Sequence, residues 1–437
     1  MLTPLEEVRE LVLARSRPLA PIRLPLAEAL GCVLAEMVVA TEDVPPFANS
    51  AMDGYALRAA DTAGAPVELR VMGSTMAGDA PAGAVGVGET IRIMTGAPIP
   101  EGVDAVCMIE LTRPGRSGTV LIERPIAPGQ NLRGAGEDVA TGSRVFGPGA
   151  ILSPAHLGVL ASIGVQDALV HPRPRVGVLS TGDELVSGPI AIGPGQLRDS
   201  NRVGLLALVA DDGFAAIDLG IVGDEVDAVM AAMLDGLSRC DGLLTTGGVS
   251  VGDRDAVKLA IEKLAGAEAF VSLQVAVKPA KPFAFGVVEP GPVPIFGLPG
   301  NPVSAMVGYE IYVRPALRRM AGFEQLDRPR LAATADEPFR RKPDGKTHFV
   351  RVVASVDPDG RLHARSAGGQ HSHQLRSMAD ANALAMLPDG EGIDSGTEVT
   401  LMLLEADLPL VIDRQLPTNG DDAPLQISAM TAVTSEC

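Results

Sequence analysis

The chain has 437 residues, 46% of them hydrophobic and 21% charged, so it is no disordered polymer and is too long for one ordinary core; roughly three domains are expected. A net charge of −18 argues against a face that wraps nucleic acid or an acidic membrane surface, and points to small molecules or other proteins as partners. Cys32, Cys107, Cys240 and Cys437 stand far apart without a CxxC pair, which argues against a zinc site or a disulfide framework and for a reducing, cytoplasmic setting. Met1 to Glu7 carries no basic start ahead of an apolar run, no apolar stretch reaches the ~20 residues that span a bilayer, and Cys437 is not placed for prenylation.

In chain order, Leu2, Leu5, Val8, Leu11 and Val12 form one stripe of a helix, with Pro4 tolerated in its first turn. A second helix is expected over Leu26 to Leu34. From Thr41 the texture changes to short β-like runs between Gly and Pro: Val67 to Met72, Thr90 to Met94, Ala105 to Glu110 and Thr119 to Glu123. This predicts a small all-β module carrying three polar clusters, Pro45 to Ala56, Arg92 to Pro100 and Asn131 to Asp138. Ser153 to Ile163 reads as a helix with Ser153 as N-cap and Pro154 at the first helical position. If it packs with the N-terminal helices, the β module is an insertion into a helical linker domain.

From Pro174 strands and helices alternate. Strands are expected at Arg175 to Leu179, Ala216 to Val222, Gly242 to Thr246, Pro282 to Val288 and Val293 to Leu298. Helices are expected at Asn201 to Ala210, Glu225 to Leu237, Asp255 to Leu264 and Val303 to Met320. That is a doubly wound α/β domain, whose ligands bind at the carboxyl ends of the strands. Four polar loops fall there: Ser180 to Glu184, Gly223 to Glu225, Thr245 to Asp255 and Leu298 to Ser304. The third contains Gly247, Gly248 and Gly252, which let the backbone approach a ligand and present N–H groups to an anion. Asp253 and Asp255 beside it would repel a bare phosphate, so a metal cation or a cationic neighbour is expected between them.

No GxGxxG occurs, and Gly345-Lys346-Thr347 imitates the end of a P-loop but has Arg340 in place of the first glycine. Gly248-Val249-Ser250-Val251-Gly252 matches a nucleophile elbow, yet no histidine falls in the rim loops to complete a triad. After Arg328 the texture is β again, at Leu331 to Thr334, His348 to Ala354, Leu362 to Ser366, Ala383 to Leu387 and Val399 to Leu404, a small barrel or sandwich. His371 and His373, at i and i+2, are read as a solvated loop in preference to a metal pair. Beyond Asp407 the mixed Pro, Gly, Asp and Ser composition predicts a mobile tail.

Taken together, these clusters resemble the molybdopterin molybdenumtransferase family, the family of the gephyrin C-terminal domain, which performs the last step of molybdenum cofactor biosynthesis. The matching stretches are Pro45 to Ala56, Met94 to Val106, Asn131 to Asp138, Ser180 to Glu184, Asp199 to Arg202, Thr246 to Asp255, Lys278 to Gly286 and Gly297 to Ser304, in the family's order. The last β region matches through Phe349 to Val352 and Ala381-Asn382. Arg254, between the two acids of the third loop, is a departure: it either neutralises part of a metal site or contacts a phosphate.

The resemblance implies an elongated homodimer of four-domain chains. These are a discontinuous, mainly helical linker (1–40 and 140–173), an inserted β domain (41–139), the α/β molybdopterin-binding domain (174–325) and a C-terminal β barrel (326–407), followed by the tail (408–437). The implied reaction takes adenylylated molybdopterin and molybdate, releases AMP, forms the molybdenum cofactor and uses a divalent cation such as Mg²⁺. Asp53, Asp138, Glu184, Asp224 and Asp255 are the expected catalytic acids, with Glu184, Asp224 and Asp255 as cation ligands. Asp253 would share the cation. Ser180, Thr181, Gly182, Asp183, Gly247, Gly248, Ser250, Pro299, Gly300, Asn301, Pro302 and Ser304 are the expected substrate wall, with Lys278 and Lys281 as donors to molybdate or phosphate. Asp53, Thr95 and Asp138 would reach in from the second subunit. Other cofactor-synthesis proteins or molybdoenzymes would receive the product. Two alternatives are a molybdopterin adenylyltransferase, which shares the α/β domain, and a non-catalytic dimeric scaffold.

Overall fold

Strand runs separated by Gly and Pro turns pair into three large sheets in the computed structural model, which describes residues 2–248 and 255–405. Helix α1 (Leu5–Arg15) starts after Pro4, where a missing N–H costs no hydrogen bond. Its Val8 and Val12 are buried in the core of the α/β unit. Strand β1 (Ile22–Pro25) and strand β2 (Val33–Leu34) follow, and no helix covers Leu26 to Leu34.

The inserted module comprises β3 (Gly54–Leu57), β4 (Val67–Thr75), β5 (Glu89–Ile93), β6 (Ala105–Met108), β7 (Thr112–Pro114) and β8 (Thr119–Ile122). They form one sheet in the order β6-β3-β5-β4-β8-β7, over a core that includes Leu57, Leu69, Cys107 and Ile122. Helix α2 (Pro154–Ser162) begins at Ser153, whose Oγ accepts the His156 N–H. Its Leu160 is buried with Cys32, Leu34, Leu152 and Val170.

Strand β9 (Asp167–His171) pairs antiparallel with both β1 and β2. This pairing explains the missing helix. Gly31 sits in the left-handed region (φ +77°), which interrupts a helix, and the long-range partners take the backbone hydrogen bonds instead. The region expected to be mainly helical is thus built from short strands around α2, while α1 packs elsewhere.

The α/β unit contains β10 (Arg175–Thr181), α3 (Asn201–Asp211), β11 (Ala215–Val222), α4 (Val226–Leu237), β12 (Gly242–Thr246), α5 (Ala256–Ala265), β13 (Val271–Gln274), β14 (Val277–Lys278), β15 (Pro282–Val288) and β16 (Val293–Leu298). Its sheet runs β11-β10-β12-β16-β15-β13. The first four are parallel, and β15 and β13 add antiparallel at one edge. Alternation along the strands sorts the two faces: Leu244 and Phe296 pack with α3, whereas Leu243 and Ile295 pack with α4 and α5. The long final helix is interrupted: α6 (Pro302–Gly308), a π turn at Tyr309–Val313, then α7 (Arg314–Met320).

Strands β17 (Arg330–Ala335), β18 (Thr347–Val356), β19 (Leu362–Ser366), β20 (Ala383–Leu387) and β21 (Glu398–Leu403) close into a five-stranded barrel in the order β18-β19-β17-β21-β20, with β20 returning to β18. The short β14 pairs parallel with β18, Lys278 opposite His348, and so hydrogen-bonds the barrel to the α/β unit. Among the described residues no helix is long and apolar enough to cross a membrane.

Candidate active site

The parallel strands β10, β11, β12 and β16 end on one rim, and their loops form a cleft of about 590 Å³. Thr181, Gly182 and Glu184 come from the first loop, Asp224 from the second, Gly247, Gly248 and Asp255 from the third, and Pro299, Gly300 and Asn301 from the fourth. Seven residues of the expected substrate wall and the three expected cation ligands therefore line one cleft, although they lie far apart in sequence.

Glycine is required where the loops touch. Gly247 has φ +94°, and a side chain there would overlap the Thr181 carbonyl oxygen. Gly248 has φ +60°, and its Cβ would lie 2.6 Å from Val257 and 3.0 Å from the Asp255 carboxylate. Asp255 itself caps α5, accepting the Lys258 N–H, so its place is set by the helix that it starts. Asp183 accepts the Asp224 N–H at 3.2 Å and ties the first loop to the second.

Some expected wall residues lie behind the wall. Ser180 is fully buried, and its hydroxyl donates to Asp199 at 2.9 Å. Asp199 in turn accepts from the Arg202 N–H and Nε, and Arg202 pairs with Asp218. Pro302 opens α6. Ser250 and Asp253 lie outside the described residues, as do Arg254 and the expected tail.

A second cleft of about 420 Å³ adjoins the first and shares Pro282 with it. Lys278, Lys281 and Ser304 line it from the α/β unit, and Lys346, Gln370, His371 and Ser372 line it from the barrel. The seam is hydrogen-bonded, with the Val303 N–H donating to the Ser372 carbonyl at 3.1 Å. Buried Arg351 braces the barrel side: Nη2 donates to the Gly369 and His371 carbonyls, and Nε to Ser377 Oγ.

The three polar clusters of the inserted module also converge. Asn49 and Ser50 pair with Arg133 and Leu132, while the Ser50 N–H donates to Ala97 and the Gly96 N–H to Ser50. Asp53 accepts the Thr95 N–H at 2.7 Å and its hydroxyl at 2.8 Å. The backbone bond first, and the hydroxyl bond next, hold the Asp53 carboxyl below the usual carboxylate range. Asp138 is exposed, its N–H donating to Val44. Neither Asp53, Thr95 nor Asp138 lines the two clefts of its own chain.

Nothing in the sequence points to Leu197 in the first cleft or to Gln370 and Ser372 in the second; Pro282 falls only within a motif stretch, and Lys346 only within a P-loop mimic. His371 reads there as a solvated loop residue. Only the docking of the barrel on β14 brings the barrel residues to the site, and no local pattern encodes it. Asn201, within a recognised motif stretch, donates from Nδ2 to Thr246 Oγ1 and to the Gly300 carbonyl, 2.7 Å each, and joins two rim loops. Among the described residues no group of three or more His, Cys, Asp or Glu could hold a metal ion by itself.

Comparison with known proteins covers nearly the whole chain. Residues 3–164 match the profile of the MoeA N-terminal region (domain I and II), residues 177–319 that of a probable molybdopterin binding domain, and residues 332–404 that of the MoeA C-terminal region (domain IV). Molybdopterin molybdenumtransferase 2 of Mycobacterium tuberculosis is 39% identical over 404 residues, 90% of this chain and 98% of the relative. Molybdopterin molybdenumtransferase of Haemophilus influenzae is 36% identical over 396 residues, 89% and 96% of the two chains. A crystal structure of molybdopterin biosynthesis moeA protein from Pyrococcus horikoshii OT3 superposes with a TM-score of 0.73 at 29% identity, covering 92% of this chain and all of that one.

Proposed function

Because the chain belongs to the MoeA family of molybdopterin molybdenumtransferases, we propose that its two adjoining clefts receive adenylylated molybdopterin and molybdate, and that molybdenum is inserted as AMP departs. The observation that carries this reading is the contrast between the clefts: Glu184, Asp224 and Asp255 in one and, among the described residues, three lysines and no carboxylate in the other, meeting at Pro282. A tetrahedral dianion suits Lys278, Lys281 and Ser304, which offer ammonium and hydroxyl donors. Gly182, Gly247, Gly248 and Gly300 let the adenylyl phosphate approach the rim backbone. The adenylyltransferase alternative would account for the α/β unit alone, whereas the relatives match across both flanking regions.

Mg²⁺ fits the first cleft. Carboxylates from three loops face it without forming an all-protein cage among the described residues, which suits a hard cation shared with substrate phosphate. Such a cation would neutralise phosphate charge during adenylate cleavage. Glu184, Asp224 and Asp255 would hold it only together with substrate phosphate oxygens, and Asp183 would keep the Asp224 loop in place. The four-domain division given above and a cytoplasmic location complete the reading. We further propose a homodimer in which the Asp53, Thr95 and Asp138 face of a second copy completes the site, because that polar face does not line the clefts of its own chain.

The test is to supply the purified protein with adenylylated molybdopterin and Mg²⁺ and to measure AMP release with and without molybdate. Release should depend on molybdate; release that ignores it would overturn the coupling. Asp224→Asn should lower the rate by about 10²–10³-fold, as expected when one ligand of the cation that neutralises the reacting phosphate loses its charge, with folding unchanged.

A further inference from the structure

We propose that a third cleft, walled mainly by the barrel, takes the pterin ring of the substrate and recognises its amino edge through the Glu337 carboxylate. The inference rests on assigning the rim cleft to the adenylate and the lysine-lined cleft to molybdate. The third cleft measures about 500 Å³, a size typical of small-molecule sites. It shares Lys278, Pro279 and Gln370 with the lysine-lined cleft and, among the described residues, none with the rim cleft. The three clefts therefore follow one another with the lysines in the middle. Adenylylated molybdopterin presents its groups in the same order: the adenylyl phosphates, the dithiolene that accepts molybdenum, and the pterin.

The wall differs in kind from that of the oxyanion cleft. Phe339, Phe349 and Leu387 give it apolar surface, and Glu337 brings a carboxylate that would repel a bare oxyanion. Its other charged groups are largely taken. Arg340 pairs with Asp394 at 2.6 Å, and Asp344 accepts from Lys346 at 2.6 Å, Arg341 at 2.7 Å and His348 at 3.2 Å. Among the described residues Lys278 and Lys342 have no hydrogen bond or ion pair. Glu337 uses one oxygen only: Oε1 accepts the Ser366 N–H at 2.6 Å, and Oε2 has no hydrogen bond among the described residues.

Arg341 is an independent sign of a ligand. Its side chain is 2% exposed, with Nη1 donating to the Lys346, Leu387 and Pro388 carbonyls and Nη2 to Asp344 and Asp389. Its Nε is nevertheless buried without a hydrogen-bond partner among the described residues. A donor left unsatisfied on a cleft wall lacks an acceptor that an occupant can bring. A pterin complements both features. Its N3–H and 2-amino group are paired donors for a carboxylate, and its 4-oxo oxygen and N5 accept from cationic donors. A fully ionised phosphate offers acceptors only and makes no use of Glu337, whereas the pterin edge carries donors and acceptors side by side, as this wall requires.

Fluorescence titration of the full chain tests this, at mildly acidic pH where both probes are neutral. The probes are 6-hydroxymethylpterin and 6-hydroxymethyllumazine, which carries a 2-oxo group in place of the 2-amino group. The wild type should bind the pterin roughly tenfold or more tightly than the lumazine, the cost of leaving a charged acceptor without its donor. Glu337→Gln keeps an oxygen for the Ser366 N–H and adds an N–H donor, so it should erase or invert that preference. The same variant should raise KM for adenylylated molybdopterin and leave KM for molybdate unchanged. Saturating AMP, in the rim cleft, should leave pterin binding in place. Circular dichroism checks that the variant folds, and the comparison of the two rings on the wild type needs no variant. Equal affinity for the two rings, no binding of the pterin, an unchanged preference in Glu337→Gln, or displacement by AMP would overturn the proposal. Molybdate-dependent AMP release tests the reaction separately. If that coupling fails while the Glu337-dependent preference holds, only the reaction is lost; if the coupling holds without the preference, only the pterin site is.

Discussion

Asn201 shows how much of the site depends on single polar atoms. Its amide nitrogen joins Thr246 and Gly300, while its Oδ1 and the Thr245 hydroxyl are buried without a hydrogen-bond partner among the described residues. Such orphans are costly in a closed interior and are tolerated beside a cleft that a ligand fills. Gly247 and Gly248 were legible in the sequence because no other residue fits their backbone, whereas the burial of Ser180 against Asp199 was not, because a serine at a strand end has no signature for its partner. A different residue carries a pH signature. His363 lies 2.7 Å from Asp336 and 3.2 Å from Asp357; the Asp336 hydrogen bond raises its pKa, partial burial opposing. A raised folded-state pKa means that the stabilisation is complete below the unfolded value of about 6.5 and is lost as pH rises through the folded one. His363→Gln should therefore lower Tm more at pH 6 than at pH 9, by the equivalent of about 0.2–1 kcal/mol at the acidic end. Equal deficits at the two pH values would count against this.

Among the elements, the final helix of the α/β unit departs most from its periodic pattern. The sequence reads as one continuous helix, but the π turn leaves all five of Tyr309–Val313 buried, which a regular helix face does not allow. Charge accompanies that burial. Glu310 accepts two hydrogen bonds from Arg328, at 2.9 and 3.1 Å, while Asp212 accepts from Tyr309 and Arg314. Burial pushes the Glu310 carboxyl up and the Arg328 contact opposes it. Arg9 of α1 adds hydrogen bonds to the Ile311 carbonyl and to Asp327, so the first helix and the approach to the barrel meet on this turn. Arg328→Ala should destabilise by roughly 3–5 kcal/mol, because it strips a buried carboxylate of its main partner. Urea unfolding measures the loss, and adding Glu310→Gln should recover part of it. No recovery would mean that the cost lies in packing and not in charge.

At the scale of the whole molecule, two separations govern function. The barrel reaches the rim through the β14–β18 pairing and the Val303–Ser372 seam, which closes the lysine-lined cleft. The polar face of the inserted sheet, by contrast, does not line the clefts of its own chain. If a second copy supplies that face, mixing Asp53→Ala and Asp255→Ala chains should restore activity that each lacks alone. Random assortment of a two-fold dimer predicts roughly a quarter of the wild-type rate. Mixtures as inactive as the separate variants would place both residues in one chain's site.

The sequence by itself determined the order of elements, the glycines of the rim and the four loops that carry its acids, because strand alternation, helix periodicity and positive-φ turns are local properties of the chain. Family motifs extended that reading to function. Tertiary structure alone decided that Leu26 to Leu34 would not be a helix, that α1 would join the α/β core, and that the barrel's Lys346, Gln370, His371 and Ser372 would face Lys278 and Lys281. Each of those outcomes depends on hydrogen bonds or buried surface supplied by residues distant in sequence, and no local pattern specifies which distant partner will supply them.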